Sequence, residues 1–170
     1  MATSPDPRLT RLVRSMDDLL EPFRSATKPP SAFLIGAEAE KIGLSSETFT
    51  PAGYDGERGV VRVMRELVSR FGWAVQGGDA PLLALEKDRA SVTLEPGAQL
   101  ELSGAPLTDL HAVSAQIEAH RAELREVSAV LERETGEGLS WFGVGFNPVA
   151  RQADLGWVPK PRYGVMRRYL

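Results

Sequence analysis

Four short runs decide the fold: Trp73-Ala74-Val75-Gln76, Leu82-Leu83-Ala84-Leu85-Glu86-Lys87, Ser91-Val92-Thr93-Leu94-Glu95 and Gln99-Leu100-Glu101-Leu102-Ser103. They are separated by Gly77-Gly78-Asp79, Asp88-Arg89 and Pro96-Gly97, residue types that reverse a chain within a few positions. Short apolar-rich runs joined by tight turns predict an antiparallel meander. Gly77-Gly78-Asp79 lacks the Lys-Ser/Thr pair of a phosphate-binding loop and reads as a turn.

On the N-terminal side of the meander, Val60, Val61, Met64, Leu67, Val68 and Phe71 recur at helical spacing and stop at Gly72. Before that helix, Ser45 to Gly59 carries the composition of a loop and Ser31 to Leu44 reads as a strand. Earlier still, Asp6-Pro7 reads as a cap and first helical position. Leu9, Leu12, Val13, Met16, Leu19, Leu20 and Phe23 make an amphipathic helix ending near Pro22, and Lys28-Pro29-Pro30 makes a stiff linker. Residues 1–30 are therefore expected to stand apart from a body at 31–170.

On the C-terminal side, Leu110, Val113, Ile117, His120, Leu124, Val127 and Leu131 alternate steps of three and four, predicting a helix from Thr108 to Thr135 packed on the sheet. An apolar strand, Leu139 to Phe146, a Pro-rich loop and a helical segment from Arg162 to Leu170 follow. Strands and helices without regular alternation indicate an α+β fold, an antiparallel sheet with flanking helices.

The chain has 170 residues, a formal net charge of -3 and no cysteine. The absence of Cys excludes disulfides, thiolate catalysis and sulfur-ligated zinc. An acidic balance gives no general attraction for nucleic acid. No stretch has the length to span a bilayer, and the start, Met1 to Pro7, lacks a basic and then apolar signal segment. The expectation is a soluble, cytoplasmic protein binding neither nucleic acid nor membrane.

Three groups of residues could carry chemistry. In Ile35-Gly36-Ala37-Glu38-Ala39-Glu40-Lys41, period-two geometry sets Glu38 and Glu40 on one side of a strand, with Gly36 leaving the backbone open on the same side. In the hairpin Thr93 to Gly104, Gln99, Glu101 and Ser103 share a face opposite Leu100 and Leu102. Together with Glu95 this gives four strand-borne carboxylates, suited to a hard cation such as Mg²⁺ and to phosphoryl transfer. Either face could instead be merely solvated. The third group is basic: Arg151, Lys160, Arg162, Arg167 and Arg168 stand against the single acid Asp154, fit for a carboxylate or phosphate or simply a wet helix face. His111 and His120, nine residues apart, lack ligand spacing and read as surface or core-edge residues.

The blocks Ile35-Gly36-Ala37-Glu38-Ala39-Glu40-Lys41, Thr93-Leu94-Glu95-Pro96-Gly97 with Gln99-Leu100-Glu101-Leu102-Ser103-Gly104, Gly145-Phe146-Asn147-Pro148, Pro159-Lys160, Arg162-Tyr163 and Met166-Arg167 occur in that order. From about Phe33 onward the chain resembles the plant and proteobacterial type of glutamate-cysteine ligase, in its N-terminal portion. The resemblance implies a glutamine-synthetase-like catalytic fold. It implies Mg²⁺ and ATP, with ATP phosphorylating the γ-carboxylate of glutamate and cysteine attacking the acyl phosphate to give γ-glutamylcysteine for glutathione synthesis. By position it implies Glu38, Glu40, Glu95 and Glu101 as metal ligands and Glu101 and Arg162 as catalytic residues. Gln99, Arg162, Tyr163, Met166 and Arg167 are implied to bind substrate. Ala39 departs from the family, whose members commonly carry a larger polar residue there. Family enzymes continue well beyond the position of Leu170, so the resemblance makes this chain a portion of a ligase, with an incomplete sheet edge open to self-association. Two alternatives stay open: a non-catalytic interaction module retaining part of the fold, and another carboxylate-amine ligase with a different acceptor amine.

Overall fold

The computed structural model describes residues 12–169. The Asp6-Pro7 cap and Leu9 lie outside the described residues. The chain divides into two compact units, residues 1–34 and 35–170.

In the first unit, helix α1 spans Met16–Ser25. It begins later than the apolar periodicity suggests because Ser15 and Asp18 form a capping box: the Asp18 amide donates to the Ser15 hydroxyl and the Ser15 amide to the Asp18 carboxylate. Leu12 and Val13 thus precede the helix. Pro22 is tolerated inside it and the helix runs three residues further. A 3₁₀ turn, Pro30–Ala32, follows.

The second unit holds a six-stranded antiparallel sheet, in the order β2-β3-β4-β5-β1-β6. Its strands are β1 (Glu38–Ser45), β2 (Ala74–Val75), β3 (Ala84–Lys87), β4 (Ala90–Leu94), β5 (Leu100–Ser103) and β6 (Leu139–Phe142). Its helices are α2 (Val60–Phe71), α3 (Leu110–Thr135) and the short α4 (Pro161–Met166). The meander is present as expected, with shorter strands. β1 begins at Glu38 rather than Ser31, since the prolines set a turn and Ile35 makes only an isolated pair of backbone bonds with Leu107. Gly36 therefore lies outside the strand. Glycines at 143 and 145 follow β6, which stops at Phe142.

The first half of β1 pairs with β5 and its second half with β6. One face of the β3-β4-β5 sheet is covered: Leu85, Val92, Leu94, Leu100 and Leu102 form one core with Val60, Val63, Met64 and Leu67 of α2 and Leu124, Val127 and Leu131 of α3. Helix α3 packs in this core as its seam predicts, except that Leu110 is exposed. Asp109 caps it, accepting the Ala112 amide at 2.9 Å. Arg62 of α2 binds Glu66 at 2.8 Å and Glu134 of α3 at 2.6 Å, tying the two helices together.

Candidate functional site

The other face of the sheet is polar. The register places Glu38 opposite Ser103, Glu40 opposite Glu101, and Glu101 opposite Thr93 on its other side. Residues paired across antiparallel strands project to the same face, so Glu38, Glu40, Thr93, Glu101 and Ser103 line one surface. The Glu101 carboxylate accepts hydroxyl hydrogen bonds from Thr93 and Ser103, both at 3.1 Å. Those bonds orient it. The Glu38 and Glu40 carboxylates make no hydrogen bond or ion pair with any described residue. Two carboxylates in direct opposition repel each other, a destabilising arrangement in a sheet.

Glu95 continues this face past the end of β4, its amide donating to the Gln99 carbonyl at 3.0 Å. In the β4–β5 turn the left-handed backbone falls on Ala98, with φ of 65°, rather than on Gly97. Gln99 folds back on that turn and its Oε1 accepts the Gly97 amide at 3.0 Å. In this position its side chain braces the turn.

The C-terminal segment docks beside the same turn. The Val158 amide donates to the Pro96 carbonyl at 3.0 Å. The Lys160 ammonium and the Tyr163 hydroxyl both reach the Leu94 carbonyl, at 2.5 and 3.0 Å. Tyr163 is buried, its hydroxyl 3.4 Å from a Glu95 oxygen, and it accepts a bond from the Arg162 guanidinium at 3.1 Å. Arg162 lies 3.8 Å from Glu95 and is itself largely exposed. Burial pushes the Tyr163 hydroxyl above its ordinary range, so it remains a donor. Burial, with repulsion from Arg162, lowers the Lys160 ammonium.

The structure thus brings Glu38, Glu40 and Glu101 onto one face, and Glu95, Arg162 and Tyr163 into contact at its margin. It does not bring Arg167 or Met166 to the carboxylates: Arg167 lies over the Trp157 ring at 5.6 Å, and Met166 is partly exposed. No three acidic or histidine side chains among the described residues stand close enough to hold a metal ion by themselves. Thr93, which orients Glu101, carries no role in the sequence reading; Ser103 is there only a face-mate of Glu101 and Lys160 a member of the basic group, whereas the structure has Ser103 orienting Glu101 and Lys160 anchoring the basic segment. Strand alternation contains the signal for Thr93, two residues before Glu95.

Fold and site together define an α+β protein whose antiparallel sheet is sealed by helices on one face and presents opposed carboxylates, edged by a basic segment, on the other. The model of glutamate-cysteine ligase family 2 (GCS2) matches residues 34–170, and the chain belongs to that family. It is 37% identical over 155 residues to the chloroplastic glutamate-cysteine ligase of Arabidopsis thaliana, an alignment covering 91% of this chain and 28% of that protein. Glutamate-cysteine ligase B of Oryza sativa subsp. japonica, also chloroplastic, is 36% identical over 154 residues, covering 91% and 29%. The chloroplastic ligase of Solanum lycopersicum is 36% identical over 155 residues, covering 91% and 28%. The chain therefore spans under a third of the length of the curated relatives it matches.

The cytoplasmic expectation is overturned by these relatives, which are named as chloroplastic proteins. It rested on a start without an apolar run, a test blind to polar transit segments, which are amphipathic and need no such run. No helix among the described residues is long and apolar enough to cross a membrane.

Proposed function

We propose that this chain supplies part of the active site of an ATP- and Mg²⁺-dependent ligase that joins the γ-carboxylate of glutamate to the amine of cysteine, giving γ-glutamylcysteine. Family membership supports the reaction class. The single observation that carries the reading is the direct opposition of Glu40 and Glu101 on the open face, with Glu38 one row away.

The donor set fits a hard cation. Mg²⁺ takes oxygen ligands and is commonly held by one or two carboxylates, with waters and substrate phosphates completing its shell. Two opposed carboxylates meet that requirement without a third, and a cation between them would relieve their repulsion. Glu40 and Glu101 would hold the ion, with Glu38 and Glu95 flanking. When bound, such an ion would supply charge neutralisation for phosphoryl transfer to the γ-carboxylate.

The protein's own groups do the positioning. Thr93 and Ser103 fix the orientation of the Glu101 carboxylate. Arg162, exposed and only loosely paired with Glu95, is free to swing a planar guanidinium onto a substrate carboxylate or phosphate. Tyr163, protonated and buried, accepts a hydrogen bond from that guanidinium and walls the margin. Gln99 and Arg167 contribute less directly, through the turn and through the Trp157 side of the basic segment. Unpaired backbone groups on the outer edge of β6 suit pairing with another segment or a second copy.

The test is a coupled assay of ADP release by the protein with Mg²⁺, ATP, glutamate and cysteine. The reading expects release that needs both amino acids and falls at least about a hundredfold on Glu101→Gln, the scale of losing a group that stabilises transition-state charge. Release indifferent to cysteine, or unchanged in the variant, contradicts it.

A further inference from the structure

A second polar feature lies on the opposite face of β1. Lys41 is only 5% exposed, and among the described residues its ammonium has one hydrogen-bond partner, the Ala39 carbonyl at 2.7 Å. A buried ammonium without a carboxylate is an expensive arrangement. Lys41 lines a cavity of about 780 Å³ between β1, β6 and α3, within the range of small-molecule sites. The floor is held in place by Ser128 of α3, whose hydroxyl donates to the Leu139 carbonyl at 2.6 Å and accepts the Leu139 amide at 2.7 Å.

The unsatisfied polar groups of this wall are donors. Arg125 has no ion-pair partner among the described residues, and the indole Nε1 of Trp141 is buried without an acceptor. Arg121 is taken up by Glu118 at 2.7 Å. Of the acids in the lining, Glu40 belongs to the opposite face by register, which leaves Glu132 toward the far end of α3. Ile117, Leu124 and Trp141 supply apolar surface beside the cations.

We propose that this cavity binds a small organic carboxylate, its anionic head between Lys41 and Arg125 and its apolar body against Ile117, Leu124 and Trp141. The site lies across β1 from the acidic face and shares with it, of the four carboxylates, Glu40 alone. A bound carboxylate supplies the missing counter-charge.

The test uses 3-phenylpropionate as the probe and 3-phenylpropanol as its neutral counterpart, with tryptophan fluorescence for affinity. The expected result is saturable binding of the acid alone, with affinity weakened by about tenfold in Arg125→Gln and in Lys41→Met, the scale of one charge-assisted bond. Arg125 is exposed, so Arg125→Gln reports even if Lys41→Met fails to fold. Equal binding of acid and alcohol, or unchanged affinity in Arg125→Gln, overturns the proposal. So does binding of oligoglutamate in place of phenylpropionate, which assigns the cavity to an acidic polypeptide.

Discussion

Glu40 and Glu101 face each other across two adjacent strands, so the sheet carries a built-in repulsion. Replacing either by glutamine is expected to raise the melting temperature of the metal-free protein while weakening its response to Mg²⁺; scanning calorimetry with and without the ion checks both signs. A drop in metal-free stability would mean that the carboxylates serve the fold instead. His120 offers a second residue-scale prediction. It is 3% exposed, its Nε2 lacks a partner, and its Nδ1 lies 3.3 Å from Glu123. Burial lowers its pKa below 6.5, outweighing the bond to Glu123, with Lys41 and Lys87 adding repulsion. The folded state thus resists protonation: this contribution to stability is intact above pH 6.5 and is lost as pH falls below it. Urea midpoints measured from pH 7.5 to 5 should decline, and decline less in His120→Leu. The helical seam puts His120 among apolar residues; the surrounding bonds of Glu123 to Trp73 at 2.9 Å and Lys87 at 3.0 Å are not readable from spacing, because they join residues 36 and 50 positions apart.

At the scale of elements, α2 and α3 are most clearly legible, since both keep apolar periodicity over several turns and end on glycines in left-handed backbone, Gly72 at φ 75° and Gly136 at φ 83°. Strand existence was equally plain from the turns, while strand length was not: β2 has two residues, because pairing stops where a neighbour ends, a tertiary fact. Leu124 is buried against both α2 and the sheet, and Leu124→Ala should cost about 2–5 kcal/mol in chemical denaturation. Gly59, preceding α2, shows a different constraint. A Cβ there would sit 2.4 Å from the Asp55 carbonyl oxygen, so Gly59→Ala must open the loop at 55–59 and should lower the melting temperature. An unaffected variant would show that the loop yields freely. Glu137 was silent in the sequence, yet it is buried and gathers Arg58, the Ser45 hydroxyl and the amides of Glu47 and Thr48.

Across the whole second unit, one sheet face is sealed by two helices and the other displays acids, an arrangement whose outline follows from alternation in two strands: Leu100 and Leu102 inward, Glu101 and Ser103 outward, Glu38 and Glu40 matched to them. What alternation cannot supply is register. That Glu40 meets Glu101 rather than Ser103 depends on how β1 crosses between β5 and β6, and that Arg162 and Tyr163 reach Glu95 depends on the docking of residues 158–163 on a turn some 60 positions earlier. The central claim is that the opposed pair holds a divalent ion together with a substrate phosphate. Mn²⁺ titration followed by electron paramagnetic resonance, with ATP present, tests it most directly. Saturable binding that weakens by about tenfold or more in Glu40→Gln and Glu101→Gln, as expected for removing one of few charged oxygen ligands, is the predicted result. Identical binding curves for the parent protein and both variants would contradict it.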